Sequence, residues 1–148
     1  MKKQDVLLGV LVFVCMLAAA CAPAHFIKTM SPGWNSVEVR DDLSYDQAWD
    51  SVVDLIAKEF DIEIVSKTDG YLRTAWVYTW TGKVEESYKV RAVIKFSPDH
   101  KKVEVKSEAQ FYSGGFFGIG QGWVMGRDDR LMTTLRTDIM GKVGRVTR

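Results

Sequence analysis

Few side chains in this 148-residue chain could do chemistry. The cysteines are Cys15 and Cys21, and the histidines are His25 and His100. Cys15 follows Val12, Phe13 and Val14, a bulk that peptidases do not favour beside a cut. Cys21 follows Leu17-Ala18-Ala19-Ala20, whose small side chains suit a peptidase that grips an extended chain in shallow pockets. A thiol just beyond such a cut, after Ala20, is an attachment point. With Cys15 lost to the leader and Cys21 used for attachment, two histidines are too few for a Cys/His metal centre. Neither a metal nor another cofactor is expected. A serine or cysteine nucleophile needs a positioned base. His100 sits in a Pro98-Asp99-His100-Lys101 turn and His25 in a linker, and both are expected at the surface. The carboxylates alternate with basic residues, the pattern of cross-strand pairs. No catalytic residue is nominated, and a non-enzyme is expected.

Gly118-x-Gly120-x-Gly122 has the outline of a phosphate-binding turn. That use needs a strand before it, a helix directly after it, and a βαβ setting. Here the glycines follow an antiparallel strand and are interleaved with Phe116, Phe117, Ile119 and Trp123. Nucleotide binding is not expected. The aromatics could fold back on the core, or the loop could be flexible. The third reading is that the glycines let an apolar loop present Phe116, Phe117, Ile119 and Trp123 to a partner or membrane.

The chain opens with Lys2 and Lys3 and continues as an apolar run, Val6–Ala20. A helix crossing the hydrocarbon core needs about 20 apolar residues, so this run is short for a span. A basic start, a short apolar core and small residues before a cut are the marks of a secretory leader. With Cys21 next, the stretch resembles the lipobox of bacterial lipoproteins, although Ala18 stands where that family usually has Leu. The resemblance implies cleavage between Ala20 and Cys21 and a lipid-bearing Cys21. Three acyl chains, as that family carries, would anchor the chain permanently. Ala22 replaces the aspartate that retains such proteins in the inner membrane. The implied address is therefore the outer membrane, on its periplasmic side.

Cleavage would leave 128 residues, enough for one domain with a core. Losing Lys2, Lys3 and Asp5 leaves 18 basic and 18 acidic side chains. A net charge of zero, with the signs mixed, offers no footprint for nucleic acid. The expected organisation is a signal peptide over 1–20, a lipidated N-terminus and flexible tether over 21–36, and a single domain over 37–148. Phe26, Ile27, Met30 and Trp34 are more apolar than a spacer needs. The domain itself, lipid and a partner are all open destinations for them.

Within the domain, Val37–Arg40 reads as a short strand. Ser44 and Gln47 form a capping box before an apolar stripe of Ala48, Trp49, Val52, Val53, Ile56, Ala57 and Phe60 at helical spacing. Asp61–Ser66 and Tyr71–Trp80 are strands joined by a turn in which Gly70 supplies a positive φ. Tyr88–Phe96 and Val103–Phe111 alternate cleanly, and a second helix opens at Asp128 or Asp129. On Tyr71–Trp80, Leu72 and Trp76 are expected under the helices, with Tyr71, Arg73 and Val77 on the open face. Tyr71 and Arg73 would then form an aromatic–arginine patch of the kind found at interfaces. The predicted fold is a two-layer α+β domain. An antiparallel meander of four to five strands carries two helices on one face, in the order β-α-β-β-β-β-α.

This order, with the lipobox and tether, resembles one helix-grip domain of the BamC-type lipoproteins of the outer-membrane assembly machinery. The likeness is one of pattern and transfers no functional residue. The expected role is a non-catalytic module that binds an envelope protein in assembly or maintenance. The alternative is a carrier of a lipid or apolar small molecule. A filled interior between Trp49, Ile56, Ile94, Phe111 and Leu135 would sink the carrier reading, and a sizeable apolar cavity there would favour it.

Overall fold

The computed structural model describes residues 22–79, 87–114 and 120–145. Ala20, Cys21 and the rest of the leader, together with Phe116, Phe117 and Ile119, lie outside them.

The spine of the fold is the ladder between β6 (Tyr88–Phe96) and β7 (Lys102–Ser113). It runs in unbroken antiparallel register from Tyr88↔Phe111 to Phe96↔Val103. Its strict alternation puts Tyr88, Val90, Ala92, Ile94 and Phe96 on one face and Lys89, Arg91 and Lys95 on the other. β3 (Ile62–Ser66) and β4 (Tyr71–Thr74) continue the sheet on the β6 side, joined by a turn with Gly70 at φ 60°. A Cβ on Gly70 would come 2.9 Å from Phe96 Cβ, so space as well as conformation selects glycine there. β8 (Gly122–Asp128) extends the sheet beyond β7.

Helix α1 (Tyr45–Ile56) begins where the capping box predicts. Ser44 Oγ accepts the Gln47 N–H at 3.3 Å, and Gln47 Oε1 accepts the Ser44 N–H at 3.0 Å. Helix α2 (Asp129–Val143) is capped by Asp128, whose Oδ1 accepts the Leu131 N–H at 2.8 Å. Ala48, Trp49, Val52 and Ile56 of α1 and Met132, Leu135, Ile139 and Val143 of α2 join one core. Across from them in that core are Leu72, Ala92, Ile94, Phe96, Val103 and Val105.

Among the described residues the antiparallel α+β class with two helices stands, but the sheet has eight strands rather than four to five. The order is β-β-α-β-β-β-β-β-β-α. The additional strands have separate causes. Two pieces of the stretch expected as a tether over 21–36 are part of the sheet, Phe26–Lys28 and the start of the next strand at Asn35 and Ser36. β1 (Phe26–Lys28) pairs with β8, and β2 (Asn35–Glu38) pairs with β7. The first strand therefore lies two residues earlier than Val37–Arg40, and Val39 makes only an isolated bridge to Gly144. β8 was hidden by its glycines, and Trp123 stands in that strand rather than in a loop.

The strand expected over Tyr71–Trp80 is broken after Thr74 and resumes as β5 (Val77–Tyr78). Arg73 pairs with Val93, but Val77 pairs with Val90. Four residues on one strand therefore face three on β6, which is a bulge. Thr74 Oγ1 accepts the Ala92 N–H at 3.0 Å, and the Ala75 N–H turns to Asp61 O at 2.8 Å.

Candidate functional site

The bulge decides what the open face of the sheet carries. A one-residue excess exchanges the two faces of everything after it. Trp76, expected under the helices, instead lies against Arg91 and Lys89, with the Arg91 guanidinium carbon 4.4 Å from its ring centroid. Val77, expected on the open face, opposes buried Val90 on the covered face. Leu72 is buried in the core as expected, and Tyr71 and Arg73 stand half-buried on the open face.

Around Lys89 the sheet gathers aromatics from three strands and the bulge. The ammonium lies 4.3 Å from the Trp123 centroid, 5.1 Å from Trp76 and 5.7 Å from Tyr78. Tyr112 meets the Trp123 ring edge-on at 5.5 Å, and Tyr78 does so at 6.5 Å. The register explains the meeting. Tyr78 opposes Lys89, Lys89 opposes Gln110, and Trp123 opposes Tyr112 on the next row. A cation over aromatic faces is attracted by their quadrupoles. Among the described residues Lys89 has no carboxylate partner. Trp123, Tyr112 and Tyr78 remain 40–50% exposed.

The neighbouring charges are neutralised among themselves. Arg91 donates through Nε and Nη2 to Glu108 Oε2 at 2.7 and 2.6 Å, and Lys106 Nζ reaches Oε1 at 2.8 Å. Arg73 binds Glu63 at 3.1 Å. Burial alone would push the Glu108 carboxyl up. Donation from Lys106 and Arg91 outweighs it and holds the group below its usual range. Tyr71 and Arg73 belong to this ionic region, where Tyr71 opposes Lys95. They do not join the Trp123 cluster. The sequence points to Trp123, Tyr71 and Arg73 but not to Lys89 or Tyr112; Trp34, of open destination in the sequence, has its ring 4.9 Å from Lys106 Nζ. The alternation of β6 and β7 carried the signal for Lys89.

A second cluster sits at the corner where β1, β8 and α2 meet. His25, expected free in solvent, stands with Nε2 3.3 Å from Asp128 Oδ2 and its ring edge-on to Tyr88. The Tyr88 hydroxyl donates to the same oxygen at 2.7 Å. Ser107 donates to Asp128 O at 2.7 Å and accepts the Asp128 N–H at 3.1 Å. Burial, and then the bond to Asp128, push the Tyr88 phenol far above its ordinary value. Both carboxylate oxygens and the serine hydroxyl are thus committed to holding β1, β7 and α2 together. Beside this corner lies an open cleft of about 400 Å³ lined by Phe60, Val77, Val90 and Leu131 with His25 and Asp128. His100 stacks on Tyr45 in its turn, with ring centroids 3.7 Å apart.

The interior between helices and sheet is filled. Trp49, Ile56, Ile94 and Leu135 are all buried, and the gap beside Ile56 and Leu135 is about 10 Å³. Among the described residues no group of His, Cys, Asp and Glu is placed to hold a metal. No described helix is long and apolar enough to cross a membrane. No family model matches the chain, and no curated protein matches it.

Proposed function

We propose that this chain is a lipoprotein anchored through Cys21 to the periplasmic side of the bacterial outer membrane. There it acts as a non-catalytic module that binds an envelope protein in assembly or maintenance. The leader's resemblance to a lipobox supports the anchor. The observation that supports binding is the aromatic cluster of Trp76, Tyr78, Tyr112 and Trp123 around Lys89, which has no carboxylate partner among the described residues. Aromatic side chains rich in contact area are what protein interfaces favour at their centres. The element order resembles a BamC-type domain, which supports a role near outer-membrane assembly and carries over no residue.

Two measurements test this reading. Cys21→Ser should abolish acylation and release the protein from membranes; retention without acylation overturns the anchor. A photo-crosslinking residue at Tyr112 should capture an envelope protein in intact cells, and Trp123→Ser should remove the captured band. Failure to capture any protein from Tyr112, with the domain folded and at its membrane, overturns the binding role.

The interior site first expected for a carrier is filled, and the open cleft of about 400 Å³ beside it is the one observation that favours a second reading, a carrier of a lipid or apolar small molecule. Mass spectrometry of natively purified protein would show a co-purifying amphiphile displaced by Val90→Trp. A ligand-free protein that also takes up no fatty acid or phospholipid removes this reading.

A further inference from the structure

Four residues near the anchor, Phe26, Ile27, Met30 and Trp34, share an apolar character without an evident reason in the sequence. The structure separates them. Phe26 turns inward, edge-on to Tyr88 at 5.9 Å and tilted against Phe111 at 6.1 Å. Gly126 makes room for it, since a Cβ there would lie 2.4 Å from the Phe26 ring. The other three point out. Ile27 alternates with Phe26 and so faces the open side, Met30 is 88% exposed, and Trp34 is 42% exposed. Three large apolar side chains within eight residues stay in part exposed, and Trp34 is covered on one side by Lys106, whose Nζ lies 4.9 Å from its ring.

We infer that Ile27, Met30 and Trp34 form a lip that seats in the interfacial zone of the bilayer holding Cys21, so that the domain is oriented on the membrane and does not swing from it. The inference rests on the anchor reading of Cys21. Its first support is how close to Cys21 the folded edge begins. Pro23 O already accepts the Phe26 N–H at 2.9 Å, and His25 O accepts the Asp129 N–H at 2.9 Å. Five peptide steps from Cys21 to Phe26 span at most about 17 Å. Acyl chains on Cys21 would therefore keep β1 and the turn after it within reach of the headgroups.

Composition is the second support. Residues 22–37 contain Lys28 and His25 and no aspartate or glutamate, although the cleaved chain as a whole is evenly balanced. A stretch with tryptophan, aliphatic residues and lysine, and without acidic groups, suits a surface of anionic headgroups over acyl chains. A protein partner is the competing occupant of this lip, and the lipid reading is favoured by the closeness of Cys21. The cluster around Lys89 stays available for the protein partner.

The test uses the full, processed chain reconstituted in vesicles of phosphatidylethanolamine and phosphatidylglycerol. A fluorescent probe sensitive to polarity is placed on Met30→Cys or, as the control, on Asp54→Cys on the exposed side of α1, and the N-terminal mass is read in parallel. The expected result is a blue shift at position 30, with quenching by brominated acyl chains, and water-like, unquenched emission at position 54. Ile27→Ser together with Trp34→Ser should abolish the shift at position 30 while the acylated protein stays on the vesicles. Water-like emission at position 30 in acylated, vesicle-bound protein overturns the seated lip and leaves the anchor standing. Quenching only after a protein partner is added assigns the lip to that partner and likewise overturns the lipid contact. An N-terminal mass without lipid overturns both.

Discussion

Along the same rungs of the β6–β7 ladder, the covered face carries Val90, Ala92, Ile94 and Phe96, and the open face carries Lys89, Arg91, Val93 and Lys95. The covered face is closed by two helices whose apolar stripes fill it. The open face has no second layer among the described residues. It is tied down laterally, as Glu108 takes Arg91 and Lys106, and Glu63 takes Arg73. Burial of apolar area stabilises without direction, whereas charges desolvated beside one another must be matched pair by pair. The contrast shows where binding can occur. The covered face is filled except at the cleft beside Val77 and Val90, and the charged centre of the open face is satisfied. The aromatic side chains and Lys89 keep unused contact area.

If the two faces differ in this way, substitutions on them should separate stability from binding. Ile94→Ala on the covered face should cost the most, about 3 kcal/mol, read as a lower urea midpoint with crosslinking from Tyr112 unchanged in the folded fraction. Glu108→Gln should cost about 2 kcal/mol at neutral pH, because Arg91 and Lys106 lose their shared partner in a half-desolvated site. Its pH dependence sharpens the assignment. A carboxyl held below its usual range in the fold contributes stability above its ordinary pKa and loses it as pH falls through the lowered value. The parent protein should therefore weaken on acidification below about pH 4, and Glu108→Gln should show a shallower acid limb. Lys89→Met, at the aromatic edge of the open face, should change stability by less than about 1 kcal/mol and yet reduce capture of the partner. A large loss of stability there would make Lys89 a structural prop and erase the distinction between the faces.

The parts of the fold legible in the sequence are those with local causes. Ser44 and Gln47 announce α1, Gly70 announces the turn before β4, and the strict alternation of β6 and β7 announces both their extent and their faces. The illegible parts depend on distant partners. β1 is three residues long, too short for any period. It exists because Asp128, Arg127 and Gly126 offer it an edge. The bulge after Thr74 follows from the competition between Thr74 Oγ1 and the backbone for the Ala92 N–H, which no local pattern records. That single slip moved Trp76 to the open face and hid the site. Trp123 and Arg73 were identified by type, but their separation into an aromatic and an ionic region required the register. His25 was taken for a free linker residue because nothing near it in sequence points to Asp128, more than a hundred positions away.

The attachment of β1 also has a mechanical consequence. Its ladder to β8 is three residues long and lies at the margin of the sheet, outside the shared core of the two helices. A pull from the N-terminal side is resisted first by that short ladder and by the contact of His25 with Asp128. The β6–β7 ladder and the helices bear load only later. Elements with few buried contacts open at the lowest free energy. Under tension the edge should peel away before the domain yields, releasing the chain between Ala22 and Trp34 as slack of about 40 Å. The stretch that reads in sequence as a tether is pinned to the sheet at its two strands and should come free only under load.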